Sequence, residues 1–175
     1  MAFDQPQYNR NQLISAGTML GIGMGGFVDG IVFHQLLQLH NMLSAKFPVR
    51  NVDATTLAVN LEINMFWDGL FHAFTWIMTA IGIAMLWHAV RQPDVPLSTR
   101  TLVGSLLLGW GLFNLVEGII DHHILHVHHV VEAVNHLVWD FAFLGAGLGM
   151  ILVGVWLISS AKDLPQKTSL GRIAS

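Results

Sequence analysis

Cysteine is absent from the 175 residues. That removes disulfides, thiolate metal sites and thiol nucleophiles together, and leaves imidazole, carboxylate and thioether as possible ligands. Charge is scarce as well: 11% of the residues are Asp, Glu, Lys or Arg, where an ordinary soluble domain has roughly a quarter. No Lys or Arg occurs from 51 to 90 or from 101 to 161. Residues 11–28, 101–116 and 141–161 carry no charged side chain, and 69–90 carries only the histidines His72 and His88. A helix that crosses a bilayer needs roughly 20 mainly apolar residues, and each run reaches that length once its flanks are included. A soluble helical bundle would need polar faces that these runs lack.

The chain therefore predicts an all-α integral membrane protein, a bundle of four transmembrane helices. Helices are expected over 12–43, 57–90, 99–127 and 131–161. Pro93 and Pro96 break the connection between the second and third, and Ser98 is placed to cap the third. The length suits one domain and not two: a polar segment 1–11, a transmembrane domain 12–161 with halves 12–90 and 99–161, and a polar tail 162–175. No short apolar stretch with a small-residue cleavage site stands apart from the first helix, which reads as a retained anchor. Arg10, Arg91, Arg100, Lys162, Lys167 and Arg172 fall on one side and Lys46 and Arg50 on the other. That imbalance puts both termini in the cytoplasm.

The halves resemble each other. Asp29-Gly30-Ile31-Val32-Phe33-His34 aligns with Glu117-Gly118-Ile119-Ile120-Asp121-His122 at an offset of 88, and His40 meets His128 at the same offset. Trp67-Asp68 aligns with Trp139-Asp140 at an offset of 72, so the first outer loop is expected to be 16 residues longer. Chance similarity between apolar helices does not account for acid, Gly, His, Trp and Asp recurring in order. Two spans per half give both halves the same orientation, hence a parallel repeat about an axis along the membrane normal. Gly17, Gly21 and Gly25, and likewise Gly145 and Gly149, recur every four residues and predict close helix packing in lipid.

The chemistry lies in buried charge. Asp29, Asp68, Glu117, Asp121 and Asp140 fall within spans that hold no compensating Lys or Arg. Each ionised carboxylate at a helix centre costs roughly 2.5–3.5 kcal/mol. Protonation, imidazolium partners or a bound cation are the remedies, and ten histidines, most of them near the acids, favour the last two. Helical rise puts His34, Asp68, His122 and Asp140 in one layer, with Asp29, Glu117 and His72 below it. Asp29 and His40 share a helix face but differ by roughly 16 Å in height, so one ion is not expected to bind both. The pairs Asp68/His72, His136/Asp140 and Glu117/Asp121 are spaced i,i+4, on one helix face each. His122, His126 and His129 form one helical stripe in the cluster His122–His129, and with His128 and His136 they are expected to gather metal at the outer mouth. A lone interfacial histidine would simply bond lipid headgroups, which is the reading for His88. Trp67 and Trp139 are expected beside the acids, and Gln35 and Gln38 either as hydrogen-bond donors behind the ligands or simply in hydrogen bonds between helices.

The segments GGFVDGIVFHQLLQLH, MFWDGLFH and NLVEGIIDHHILHVHH resemble a bacterial family of predicted membrane proteins known as domain of unknown function 2243, over about 13–160. Some relatives are joined to an assembly factor for caa-type cytochrome oxidase. The resemblance implies a four-helix protein of the bacterial inner membrane and points toward copper or respiratory metal handling. Three functions fit the residues. The first is binding of a transition metal, Zn, Cu or Fe and possibly dinuclear, for capture, storage or transfer. The second is a metal- or proton-coupled transporter, for which four helices imply a homodimer. The third is a di-metal or haem redox protein, against which the absent Glu-x-x-His spacing and the carboxylates around the histidines weigh. Binding ranks first and catalysis last. Lipid and a metal ion are the expected partners, and nucleic acid is not.

Overall fold

The computed structural model describes residues 9–162. Its helices are α1 (Asn11–Val28), α2 (Ala54–Val90), α3 (Thr99–Glu117) and α4 (His136–Ser159); α1 and α3 continue as π-helical segments, Asp29–Leu36 and Gly118–Ile124. The four spans Asn11–Leu36, Ala54–Val90, Thr99–Ile124 and His136–Ser159 are each long and apolar enough to cross a bilayer. Asp53 caps α2 by accepting from the Thr55 and Thr56 amides, and Ser98 caps α3 by accepting from the Thr101 amide. Arg10 donates to the Ile158 carbonyl at 3.1 Å, which ties the start of α1 to the end of α4.

The helices pack in the order α2, α1, α3, α4, and α2 and α4 do not pack against each other among the described residues. Small residues allow this. A Cβ at Gly21 would strike the Leu106 backbone and one at Gly109 the Thr18 carbonyl. These are equivalent contacts, since 18 and 21 become 106 and 109 at the offset of 88. Gly23 lies against Thr75 and Thr79 of α2, and its counterpart Gly111 against Gly147 of α4. The two halves thus meet through α1 and α3 in a pseudo-two-fold arrangement, with α2 and α4 outside facing lipid.

Several expectations need correction. Helices 1 and 3 do not run to 43 and 127; both end as π-helices at Leu36 and Ile124. At the equivalent positions Gln38 (φ 49°) and His126 (φ 47°) the backbone turns left-handed and the chain folds back into the bundle. The supposed stripe of His122, His126 and His129 therefore does not exist. α4 starts at His136 rather than 131, and α2 starts three residues earlier than expected, at its Asp53 cap. The 16 extra residues of the first half divide between a longer loop (37–53 against 125–135) and α2, which begins ten residues before position 64, the counterpart of His136. Trp67 and Trp139 are exposed: lipid, not the core, receives them. Among the described residues nothing approaches a Cβ at Gly145 or Gly149, and the α4 glycines at the interface are Gly147 and Gly154.

Candidate metal centre

The π-helical geometry decides which side chains converge. In an α-helix, residues five apart point in different directions; an i→i+5 ladder stacks them. The Leu37 amide bonds the Val32 carbonyl at 2.8 Å and the Leu125 amide bonds the Ile120 carbonyl at 2.7 Å, both five apart. Asp29 and His34, and equally Glu117 and His122, are spaced by five and so face one side. His34 Nε2 lies 3.0 Å from Asp29 Oδ2. The left-handed residue then closes each helix, with the Leu39 amide on the Phe33 carbonyl and the Val127 amide on the Asp121 carbonyl. This returns His40 and His128 to the same place.

Six residues, three from each half at an offset of 88, form one buried cluster: Asp29, His34 and His40 with Glu117, His122 and His128. None is more than 6% exposed. His40 Nε2 lies 3.8 Å from Asp29 Oδ1, where an unbroken helix would have held the two apart. His128 Nε2 lies 3.3 Å from Glu117 Oε1. The His40 and His128 rings stack at 4.6 Å between centroids, and His34 and His122 flank them edge-on at 4.5 Å from His40 and 4.9 Å from His128. Three overlapping ligand sets have atoms within 4.8 Å of one another: His34/His40/His128, Glu117/His122/His128 and Asp29/His40/Glu117. Among the described residues, Asp29 Oδ2, His34 Nε2, His40 Nε2, Glu117 Oε2 and both His122 nitrogens are buried without a hydrogen-bond partner.

The other side of the His34, His40 and His128 rings is held by a hydrogen bond. His40 Nδ1 lies 2.9 Å from the Val130 carbonyl, and His128 Nδ1 lies 3.0 Å from the Met42 carbonyl. A carbonyl only accepts, so both rings carry their proton on Nδ1 and aim the Nε2 lone pair inward. Burial pulls the His40 pKa down to about 4, against the attraction of Asp29. Burial also holds His128 well below the usual imidazole range, aided by His40 and His122. Both are neutral near pH 7, the form that ligates metals. His34 Nδ1 lies 2.9 Å from Asp68 Oδ1, and His122 Nδ1 lies 3.3 Å from Asp140 Oδ1. The same two carboxylates grip the returning chain: the Met42 amide donates to Asp68 at 2.8 Å and the Val130 amide to Asp140 at 3.0 Å. Met42 and Val130 are themselves equivalent at 88.

Asp68 and Asp140 thus stand behind the imidazoles, and the Asp29/Glu117 level merges with that of His34 and His122. His72 is turned back on its own helix, with Nδ1 2.7 Å from the Asp68 carbonyl. Asp121 is half-buried and lines, with Glu117, a largely apolar groove of about 560 Å³. His126 is exposed. His136 gathers with His129 and Asp140 in a separate set of three. Gln35 donates to Asp68 Oδ2 at 3.4 Å, whereas the Gln38 carbonyl accepts from Arg50 at 2.7 Å. Sequence reasoning missed Asn41, which donates to Asp68 Oδ2 at 3.0 Å, and the partnership of His129 with Asp140. The offset of 88 pairs 41 with 129, and that signal was present in the sequence.

A family model described as Predicted membrane protein (DUF2243) matches residues 16–161. The chain belongs to this family. No curated protein and no solved structure matches it. The part that matches the DUF2243 model contains all six clustered residues and the carboxylates behind them.

Proposed function

We propose that this membrane protein holds a transition metal in the buried cluster, for capture, storage or transfer. The observation that carries the reading is the convergence of four histidines and two carboxylates in which Asp29 Oδ2, His34 Nε2, His40 Nε2, Glu117 Oε2 and both His122 nitrogens lack hydrogen bonds, while the outward Nδ1 atoms of His34, His40 and His128 are fixed. At His34 an Nε2 lone pair would face an Asp29 oxygen at 3.0 Å, which is repulsive unless a proton or a cation lies between them. Each half offers two imidazoles and one carboxylate, the donor set of non-haem iron sites. Two such sets related by the pseudo-two-fold suit a dinuclear centre. Zn(II), Fe and Cu(II) fit these ligands, and Cu(I) lacks the sulfur it prefers. Catalytic metals keep an open coordination position; the enclosure of all six residues favours holding an ion over turning over a substrate. The Lys and Arg distribution supports cytoplasmic termini, in a bacterial inner membrane.

One observation favours a second reading, di-metal redox chemistry: the apolar groove that Glu117 helps to line offers a bilayer-soluble substrate a route toward the cluster. Metal-loaded protein that consumed dioxygen or a quinol would move the assignment there. Elemental analysis of purified protein tests the main reading. Wild type and the exposed-site control His88→Ala are expected to carry stoichiometric metal, and His34→Ala and His122→Ala to lose it. A folded wild type that takes up no metal contradicts the proposal.

A further inference from the structure

The halves match in their inner ligands and differ beside them. Where the second half has His126, His129 and His136, the first has Gln38, Asn41 and Asn64 at the offsets of 88, 88 and 72. Asn41 Nδ2 donates to Asp68 Oδ2 at 3.0 Å. His129 Nδ1 does the same for Asp140 Oδ2 at 2.8 Å. An amide therefore suffices for the structural task, and imidazole at 129 adds a capacity that an amide lacks, metal ligation. Asn64 is buried and clamps its loop through the Leu43 amide and the Phe47 carbonyl. Its counterpart His136 is partly exposed and bonds only locally, to the Ala133 carbonyl at 3.2 Å.

The second-half residues also assemble. The His129 and His136 rings stack at 4.0 Å, and one ligand atom each from His129, His136 and Asp140 lies within 4.8 Å of the others. His126, exposed, has its ring 5.9 Å from that of His129. Inward, Asp140 presents its second oxygen 3.3 Å from His122, and the His122 ring stands 6.4 Å from His129 and 4.9 Å from His128. Asp140 is thus shared between a partly exposed three-residue set and the buried cluster.

We propose that His129, His136 and Asp140 form a loading site that takes a divalent transition-metal ion at the bundle end bearing the 125–135 connection and passes it inward to His122. Asp140 stays on the ion while imidazoles exchange. The first half has no equivalent route, so loading is one-sided although the centre is nearly symmetric. This inference rests on the metal-binding reading of the centre.

The test uses full-length protein in lipid nanodiscs, with Co²⁺ alone as the probe and its visible absorption as the readout. The double variant His129→Asn/His136→Asn restores the residues that the first half already tolerates. It is expected to reach wild-type occupancy of the buried centre more slowly than wild type, and to lose one weaker ion per chain at saturating Co²⁺. The single variant His136→Gln, at a partly exposed position, is expected to slow loading in the same direction and covers the case that the double variant fails to fold. Wild-type rate and stoichiometry in the folded variants, beside a metal-binding wild type, overturn the loading site and leave the centre standing. No Co²⁺ uptake by wild type overturns both.

Discussion

Replacing Asp68 by asparagine keeps the outline of the side chain and removes its charge. Asp68 Oδ1 accepts from His34 Nδ1 at 2.9 Å and from the Met42 amide at 2.8 Å, and Oδ2 accepts from Asn41 Nδ2 at 3.0 Å. An asparagine has one acceptor, which must stay where two donors already point. Its NH₂ then meets the Asn41 amide, and Asn41 can turn to present its own oxygen. The fold survives, and the loss falls on the His34 contact. A hydrogen bond to a charged group contributes about 1.5–3 kcal/mol and a neutral one about 0.5–1.5 kcal/mol. Loss of a carboxylate behind a metal-bound histidine typically weakens metal binding about 10–100-fold, and tenfold is about 1.4 kcal/mol. The two figures meet near tenfold, which is the expected loss of affinity for Asp68→Asn in a chelator competition titration. Asp140→Asn, in the equivalent position, is expected to lose a similar factor. Asp68→Ala is expected to do more harm, because it takes the acceptor from His34, Met42 and Asn41, at about 1–3 kcal/mol for each donor left unpaired, and releases the returning chain at Met42. Folded Asp68→Asn protein with unchanged affinity would refute the reasoning.

Glycine substitutions separate the interfaces. Gly109→Ala meets the Thr18 carbonyl and is expected to lower stability by about 1–3 kcal/mol. Gly145→Ala meets nothing and is expected to be neutral or to stabilise by up to about 1 kcal/mol; thermal unfolding in detergent distinguishes them. Asn64→Leu strands the Leu43 amide and the Phe47 carbonyl and is expected to raise proteolysis within 37–53 before it affects the helices. At Asp53 the Thr56 hydroxyl and the Thr56 and Thr55 amides hold the carboxyl below its usual range. The cap is therefore present above the ordinary carboxylate pKa and lost as pH falls through the depressed value. Hydrogen exchange at Thr55 and Thr56 is expected to lose protection at acid pH, and Asp53→Ala to remove that dependence.

The spans were legible because long uncharged runs have one physical outcome. The repeat was legible because its chemical residues recur at fixed offsets, so the meeting of both halves in one bundle followed. The helix ends were not legible. Gln38 and His126 adopt left-handed backbone without glycine or proline to announce it, and Leu36-Leu37-Gln38-Leu39 reads as continuing helix. An α-helical ruler then separated Asp29 from His40 and linked His122, His126 and His129, and both inferences fail where the chain turns back. Trp67 and Trp139 were misplaced for a different reason. Lipid accepts large apolar side chains, so proximity in sequence to a buried acid says nothing about the face a tryptophan takes. In α4 a four-residue spacing pointed to Gly145 and Gly149, whereas the close approach is made by Gly147, against Gly111.

X-ray absorption spectroscopy on the metal as purified reads the donors directly. The account expects imidazole nitrogen and carboxylate oxygen at about 2.0–2.2 Å, no sulfur, and the multiple-scattering signature of several histidines, reduced by His40→Ala and by His128→Ala alike. A first shell of sulfur or of water oxygen alone, or a spectrum that neither substitution changes, would contradict the claim that the two halves close around one metal centre.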